Sequence, residues 1–191
     1  MINTKEDLRL YLEEDRKAYG KPVKLSIKQK IVNLLFPDYN YEFMKCLRRL
    51  EYHYNSGGKL SRLYYQRKHA RLRCKTGIEI NPNCAEYGLH VSHGKIVVSS
   101  ISKIGKNCKI LSDVTIGGQG RYDRHGAPTL GDRVFVGSGA KIIGNIKIAD
   151  DVVIGANAVV TKDILEPGIT VAGNPAKKVS NNGSYHYLNR E

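Results

Sequence analysis

The sequence predicts a mostly β chain: a parallel β-helix built of six-residue turns, preceded by an α-helical region. Three observations carry this reading. Val98, Ile104, Ile110 and Ile116 fall six apart, and after a break Leu130, Val136, Ile142, Ile148, Ile154 and Val160 resume the series. Glycine follows five of these ten, at Gly105, Gly117, Gly131, Gly137 and Gly155. The fifth position of the turn is small or β-branched, from Ser102, Cys108 and Val114 through Val134, Ala140, Ile146, Val152 and Ala158 to Ile164. A period of six belongs neither to an α-helix nor to an ordinary strand. It suits a coil in which each hexapeptide forms one flat face of a triangular prism. The aliphatic residue points inward and neighbouring coils pair at ~4.8 Å. Small residues or glycine are expected where the chain turns a corner.

The first 75 residues read as helices. Thr4 is placed to cap one whose first turn holds Glu6 and Asp7 and whose apolar face carries Leu8 and Leu12. Ser26 is placed to cap a second, with Ile27, Ile31, Leu34 and Leu35, ended by Pro37. Asn40 is the candidate cap of a third, with Phe43, Leu47, Leu50 and Tyr54 at helical spacing. Gly57-Gly58 breaks the pattern before a basic segment from Lys59 to Arg73. These stripes are too thin to fold alone, so the helices are expected to dock on the second half or on another subunit. The expected organisation is a basic helical region over 1–75, the β-helix over 76–179 with a loop extruded at 117–129, and a tail over 180–191.

The net charge is +13, and it is uneven: residues 1–75 hold 18 basic and 8 acidic side chains, against 13 and 10 in the remainder. Such a half suggests an anionic partner or simply a solvated face. Cys46, Cys74, Cys84 and Cys108 form no C-x-x-C pair and read as reduced, buried thiols in a cytosolic protein. No signal peptide and no ~20-residue apolar run is present, so any membrane contact is expected to be peripheral.

The break between Ile116 and Leu130 is glycine-rich and polar, and it gathers Arg121, Asp123, Arg124 and His125. A polar loop thrown out of a regular coil points to use.

At this point the residues resemble a known family. Thr76-Gly77-Ile78-Glu79-Ile80-Asn81-Pro82 and Gly88-Leu89-His90-Val91-Ser92-His93-Gly94 are similar to the start of the serine acetyltransferase catalytic domain. So are Val114-Thr115-Ile116-Gly117-Gly118-Gln119-Gly120 with Asp123-Arg124-His125, Val136 to Ile146, and Ala172-Gly173-Asn174-Pro175-Ala176. The resemblance covers about residues 74–179. It implies a left-handed β-helix and a homotrimer with sites between neighbouring prisms. It also implies acetyl-CoA as cosubstrate, with no permanently bound cofactor and no metal. His93 matches the catalytic base, Glu79 an aspartate that orients it, and Arg124 and His125 substrate-contacting loop residues. The coenzyme is implied along Gly118, Ser138 and Ala156, with Thr161, Lys162, Lys177 and Lys178 at its polar end. The chemistry agrees: an alcohol needs a neutral imidazole to take its proton, worth ~10²–10⁴ in rate, and a carboxylate on the other ring nitrogen fixes the tautomer. A backbone N–H at Gly117 or Gly118 is the candidate oxyanion donor.

Departures from that family bear on the acceptor. Ser92 stands where serine acetyltransferases carry an aspartate for the substrate ammonium, a contact worth ~1.5–3 kcal/mol. The helical region is about half the family's length, and the terminal isoleucine is missing. A sugar hydroxyl needs none of these, and the layout resembles capsule and exopolysaccharide O-acetyltransferases. A glycan acceptor is therefore expected ahead of serine. The stretch Lys45–Lys75 holds ten basic residues and one acid, Glu51, and is expected to sit against anionic lipid, at a cytoplasmic inner membrane face. No nucleic-acid motif accompanies the charge. Two other classes remain open: a non-catalytic β-helix scaffold, and a metal enzyme using His90, His93 and His125, for which the usual H-x4-H pair is missing.

Overall fold

In the computed structural model, residues 1–119 and 126–188 are described. Four helices come first: α1 (Lys5–Ala18), α2 (Ile27–Leu35), α3 (Tyr39–Asn55) and α4 (Lys59–Thr76). Thr4 and Ser26 cap α1 and α2 as expected, each within a reciprocal capping box with Asp7 and Gln29. The cap of α3 is Asp38, not Asn40, which lies inside the helix and is used elsewhere. α3 buries Phe43, Met44, Leu47 and Leu50 as the core of the region, while Tyr54 stays exposed. Leu8 and Leu12 of α1 are half-buried, and the residues the helix buries fully are Tyr11 and Asp15, whose docking surface offers a cation and backbone N–H groups. α2 buries nothing, contrary to its apolar stripe.

Gly77, in the left-handed conformation, stops α4 and opens the prism. Fourteen short strands follow, here β1 (Ile78–Glu79), β2 (His90–Val91), β3 (Ile96–Val98), β4 (Lys103–Ile104), β5 (Lys109–Ile110), β6 (Thr115–Gly117) and β7 (Thr129–Leu130). Then come β8 (Phe135–Val136), β9 (Lys141–Ile143), β10 (Lys147–Ile148), β11 (Val153–Ile154), β12 (Val159–Val160), β13 (Thr170–Ala172) and β14 (Lys177–Ser180). They form three parallel sheets, β1-β3-β6-β9-β12, β4-β7-β10 and β2-β5-β8-β11-β13, the last closed by antiparallel β14. This is the left-handed hexapeptide β-helix. Val97 pairs with Thr115, eighteen residues on, which is three six-residue faces per coil. Thr115 pairs with Lys141, twenty-six on, so one coil carries eight extra residues, inserted between β6 and β7.

All ten series residues are at most 3% exposed and stack in ladders such as Val98–Ile116–Ile142–Val160. Eight of the nine fifth-position residues are buried with them, Ile164 being half-buried. The corners differ from expectation. Three after a series residue, positive φ falls on Asn107, Asp113, Arg133, Asp151 and Asn157, and on glycine only at Gly139. Four of the five glycines after the series residues serve close approach instead: a Cβ on Gly105 would lie 2.4 Å from the Gly131 carbonyl oxygen, and one on Gly137 2.7 Å from the Ala156 nitrogen. Asn and Asp take the left-handed region more readily than other side chains, so glycine is freed for the crowded position.

The helices dock on the first coil of their own chain. Arg48, fully buried, binds Asp15 through Nε at 2.8 Å and donates to the carbonyls of Ala85 and Glu86 at 2.8 and 2.7 Å. Of the cysteines, three are buried and Cys74 is exposed.

Candidate active site

His93 lies in the corner between β2 and β3 and is exposed. β2 is an edge strand, so its outward backbone groups need partners from outside the sheet. The helices supply them. The Tyr19 hydroxyl donates to the Val91 carbonyl at 3.0 Å and accepts from the Val91 N–H at 3.2 Å. Asp15 accepts from the N–H groups of Gly88 and Leu89 at 2.8 and 3.1 Å. The Asn40 amide donates to the Ser92 carbonyl. The segment leading into His93 is thus held residue by residue by side chains from α1, its C-cap and α3. Burial pushes the Tyr19 phenol well above its ordinary pKa, so it stays a neutral donor. His90 stacks on Tyr19 at 4.4 Å, and burial brings it down to about 4, so that ring stays neutral in the packing.

Glu79, on β1, forms an ion pair with Arg73 from the last turns of α4. Among the described residues no hydrogen bond joins it to His93. Arg124 and His125 lie outside the described residues. Ser92 lies beside His93, held by its backbone.

Strand register sorts the remaining candidates onto two corners. Following His90↔Lys109↔Phe135↔Val153↔Thr170 and moving three residues on, His93, Ser112, Ser138, Ala156 and Gly173 stack along one edge of the prism. The hydroxyls of Ser112 and Ser138 lie 3.3 Å apart, and every side chain below His93 in this column is small. Gly118, Thr161 and Lys162 lie on the other edge of the β1-β3-β6-β9-β12 face, where the insertion leaves the coil. Lys177 and Lys178 are on exposed β14, with Lys178 paired to Glu166. Gly117 stands apart from the packed glycines: a Cβ there would meet nothing within 4 Å among the described residues. Six extended residues span at most ~20 Å, so a full face separates His93 from the insertion's roots in one chain.

A cavity of about 580 Å³ opens on that second edge, between α3–α4 and the first coils, lined by His69, Arg73, Asn81, Asn83 and Ser100 among others. His69 is nearly fully buried and stacks on Phe43. Burial brings it down to about 4, and its Nε2 has no partner among the described residues. Neither this cavity nor the tether of Tyr19, Asp15 and Asn40 was apparent from the sequence, because their partners are backbone groups and residues far along the chain.

Residues 127–162 match the family described as bacterial transferase hexapeptide (six repeats). Over 107 residues the chain is 41% identical to the serine acetyltransferase of Helicobacter pylori, covering 55% of this chain and 62% of that protein. The chain therefore spans about three fifths of that relative's length. Two solved structures share the fold over nearly the whole chain. Serine acetyltransferase of Neisseria gonorrhoeae is 31% identical at a TM-score of 0.72, covering 92% of this chain and 66% of that one. Soybean serine acetyltransferase complexed with serine is 29% identical at 0.71, covering 91% and 70%.

Proposed function

We propose that this chain is an acetyl-CoA-dependent O-acetyltransferase in which His93 is the general base. The observation that carries the reading is the column of small side chains running down one prism edge from His93, which suits the approach of a long thin cosubstrate. The loop edge, with Gly117, Gly118, Thr161 and Lys162, lies a full face away in the same chain. A homotrimer, in which the loop edge of one prism meets the His93 edge of the next, completes the site.

In the reaction, the imidazole of His93 takes the acceptor's hydroxyl proton as the oxygen attacks the thioester carbonyl. The N–H of Gly117 or Gly118 of the neighbouring chain receives the oxyanion. Collapse expels the coenzyme thiolate, which recovers the proton from the imidazolium; ester and thiol are the products. Glu79 orients the ring once it leaves Arg73. That half-exposed ion pair is worth only ~0–1 kcal/mol, less than a charge-assisted bond to imidazolium at ~1.5–3 kcal/mol. Arg124 and His125 contact the acceptor. The donor, acetyl-CoA, fits a reaction in the cytoplasm.

The relatives bring a correction to the acceptor. They are serine acetyltransferases, so serine takes precedence over the sugar that the sequence alone favoured. The glycan stays as the second reading on one observation, that position 92 is serine and offers no carboxylate to an ammonium group. Thiol release from acetyl-CoA with serine, against the same assay with a panel of acidic and neutral oligosaccharides, decides between them. Saturable turnover with serine supports the first reading. Turnover with an oligosaccharide alone supports the second, and none with any hydroxyl acceptor removes both.

A further inference from the structure

α2 is a nine-residue helix that buries none of its residues. Every residue from Pro22 to Phe36 is exposed, and the exposed set includes Val23, Leu25, Ile27, Ile31, Val32, Leu34, Leu35 and Phe36. Isolated helices shorter than ~12–15 residues are marginal in water, so this one calls for a surface that the chain itself does not provide. Its capping box, Ser26 with Gln29, holds the helix ready for that surface.

The pattern specifies the surface. At about 100° per residue, Ile27, Ile31, Leu34 and Leu35 occupy an arc about 100° wide. Lys28 borders it on one side and Lys30 on the other, and Lys24 precedes the helix. No acid lies between Lys21 and Phe36, and Lys21 is occupied by Asp38. An apolar wedge with ammonium groups along both rims, ending in an exposed phenylalanine, matches a bilayer interface with anionic headgroups: acyl chains take the wedge and phosphates take the lysines. A second copy of the chain placed face to face would set lysine rims of like charge together. Among the described residues no helix is long and apolar enough to cross a membrane, so this contact is peripheral.

We propose that α2 docks the chain on anionic membranes. α4 is the rival element for the same role, being basic and exposed. α4, however, is committed to its own chain: it buries His69, Leu72 and Thr76, and its Arg73 is paired with Glu79.

The test is sedimentation of the full chain with phosphatidylcholine vesicles, with and without phosphatidylglycerol. Three variants are compared: Leu34→Asp with Leu35→Asp; Lys24→Glu with Lys28→Glu and Lys30→Glu; and Arg67→Glu with Lys68→Glu and Arg71→Glu on α4. Salt-sensitive binding to the anionic vesicles is expected. The leucine pair abolishes it, and the α2 lysine set weakens it about a hundred-fold or more, at about five-fold per cation. Circular dichroism of both α2 variants is expected to stay native, since α2 buries no residue in the chain. Absent binding, equal binding to neutral vesicles, loss only in the α4 variant, or a smaller oligomer in the leucine variant by analytical ultracentrifugation would each overturn the proposal. The last outcome would make the face a contact between copies.

Discussion

Replacing Tyr19 by phenylalanine removes one oxygen from the protein and two hydrogen bonds from the segment that carries His93. The hydroxyl bridges the N–H and C=O of Val91, a residue with no exposure, on the free edge of β2. A typical bond contributes about 1 kcal/mol net, and a buried backbone group left without a partner costs ~1–3 kcal/mol. Two groups are orphaned, and the ring stays to keep water out, so a loss of ~2–3 kcal/mol is expected. With a urea m-value of about 2–3 kcal/mol/M, the unfolding midpoint falls by about 1 M. Tyr41→Phe is the control. Its ring packs against Tyr19 at 5.1 Å, but its hydroxyl makes no hydrogen bond among the described residues, so it should move the midpoint little. Equal midpoints for Tyr19→Phe and the parent chain would refute the claim that the helices hold this strand through that hydroxyl.

Other outcomes follow from the same structure. His93→Ala should lower thiol release from acetyl-CoA by ~10²–10⁴ while leaving the unfolding midpoint unchanged, because the side chain is exposed. Arg48→Met should cost ~3–5 kcal/mol in urea unfolding, since it leaves Asp15 and Glu51 buried without their cation, and Asp15→Asn in the same chain should recover part of that. Stability should also fall in acid. His69 and His90 stay neutral in the folded chain down to about 4 but take protons near 6.5 when unfolded. The unfolded state therefore binds more protons between those values, and stability drops as pH falls from about 6.5 toward about 4. The slope approaches ~1.4 kcal/mol per pH unit for His69, and His90 adds to it in the same window. His69→Gln should flatten that part of the pH profile.

The prism was legible because each of its rules repeats. One aliphatic every six residues fixes the faces, and an eight-residue excess between Ile116 and Leu130 fixes the insertion. The helical region was legible only where a rule is local. Thr4 and Ser26 cap their helices through groups three residues away, and the sequence shows both partners. Leu8 and Leu12 give only part of the docking of α1, which is anchored by Asp15, whose carboxylate meets N–H groups more than seventy residues on, which no periodicity reports. Asn40 was misread for the same reason, since its partner is the Ser92 carbonyl. In α2 the stripe is legible and its cover is not, because an apolar arc does not say what will cover it. The site residues sorted onto two edges only when strand register was known, for Ser138 and Gly118 look equivalent in a list of small residues.

The proposed site is shared between chains, and one measurement reaches it directly. Co-express His93→Ala chains with chains carrying Arg124→Ala and His125→Ala, each nearly inactive alone, and measure thiol release from the mixed assembly. If the base comes from one chain and the loop from its neighbour, random threefold mixing restores about a quarter of the parent activity. If the mixture is as inactive as its components, base and loop serve within a single chain, and the two-edge arrangement described for this prism is not the one that works.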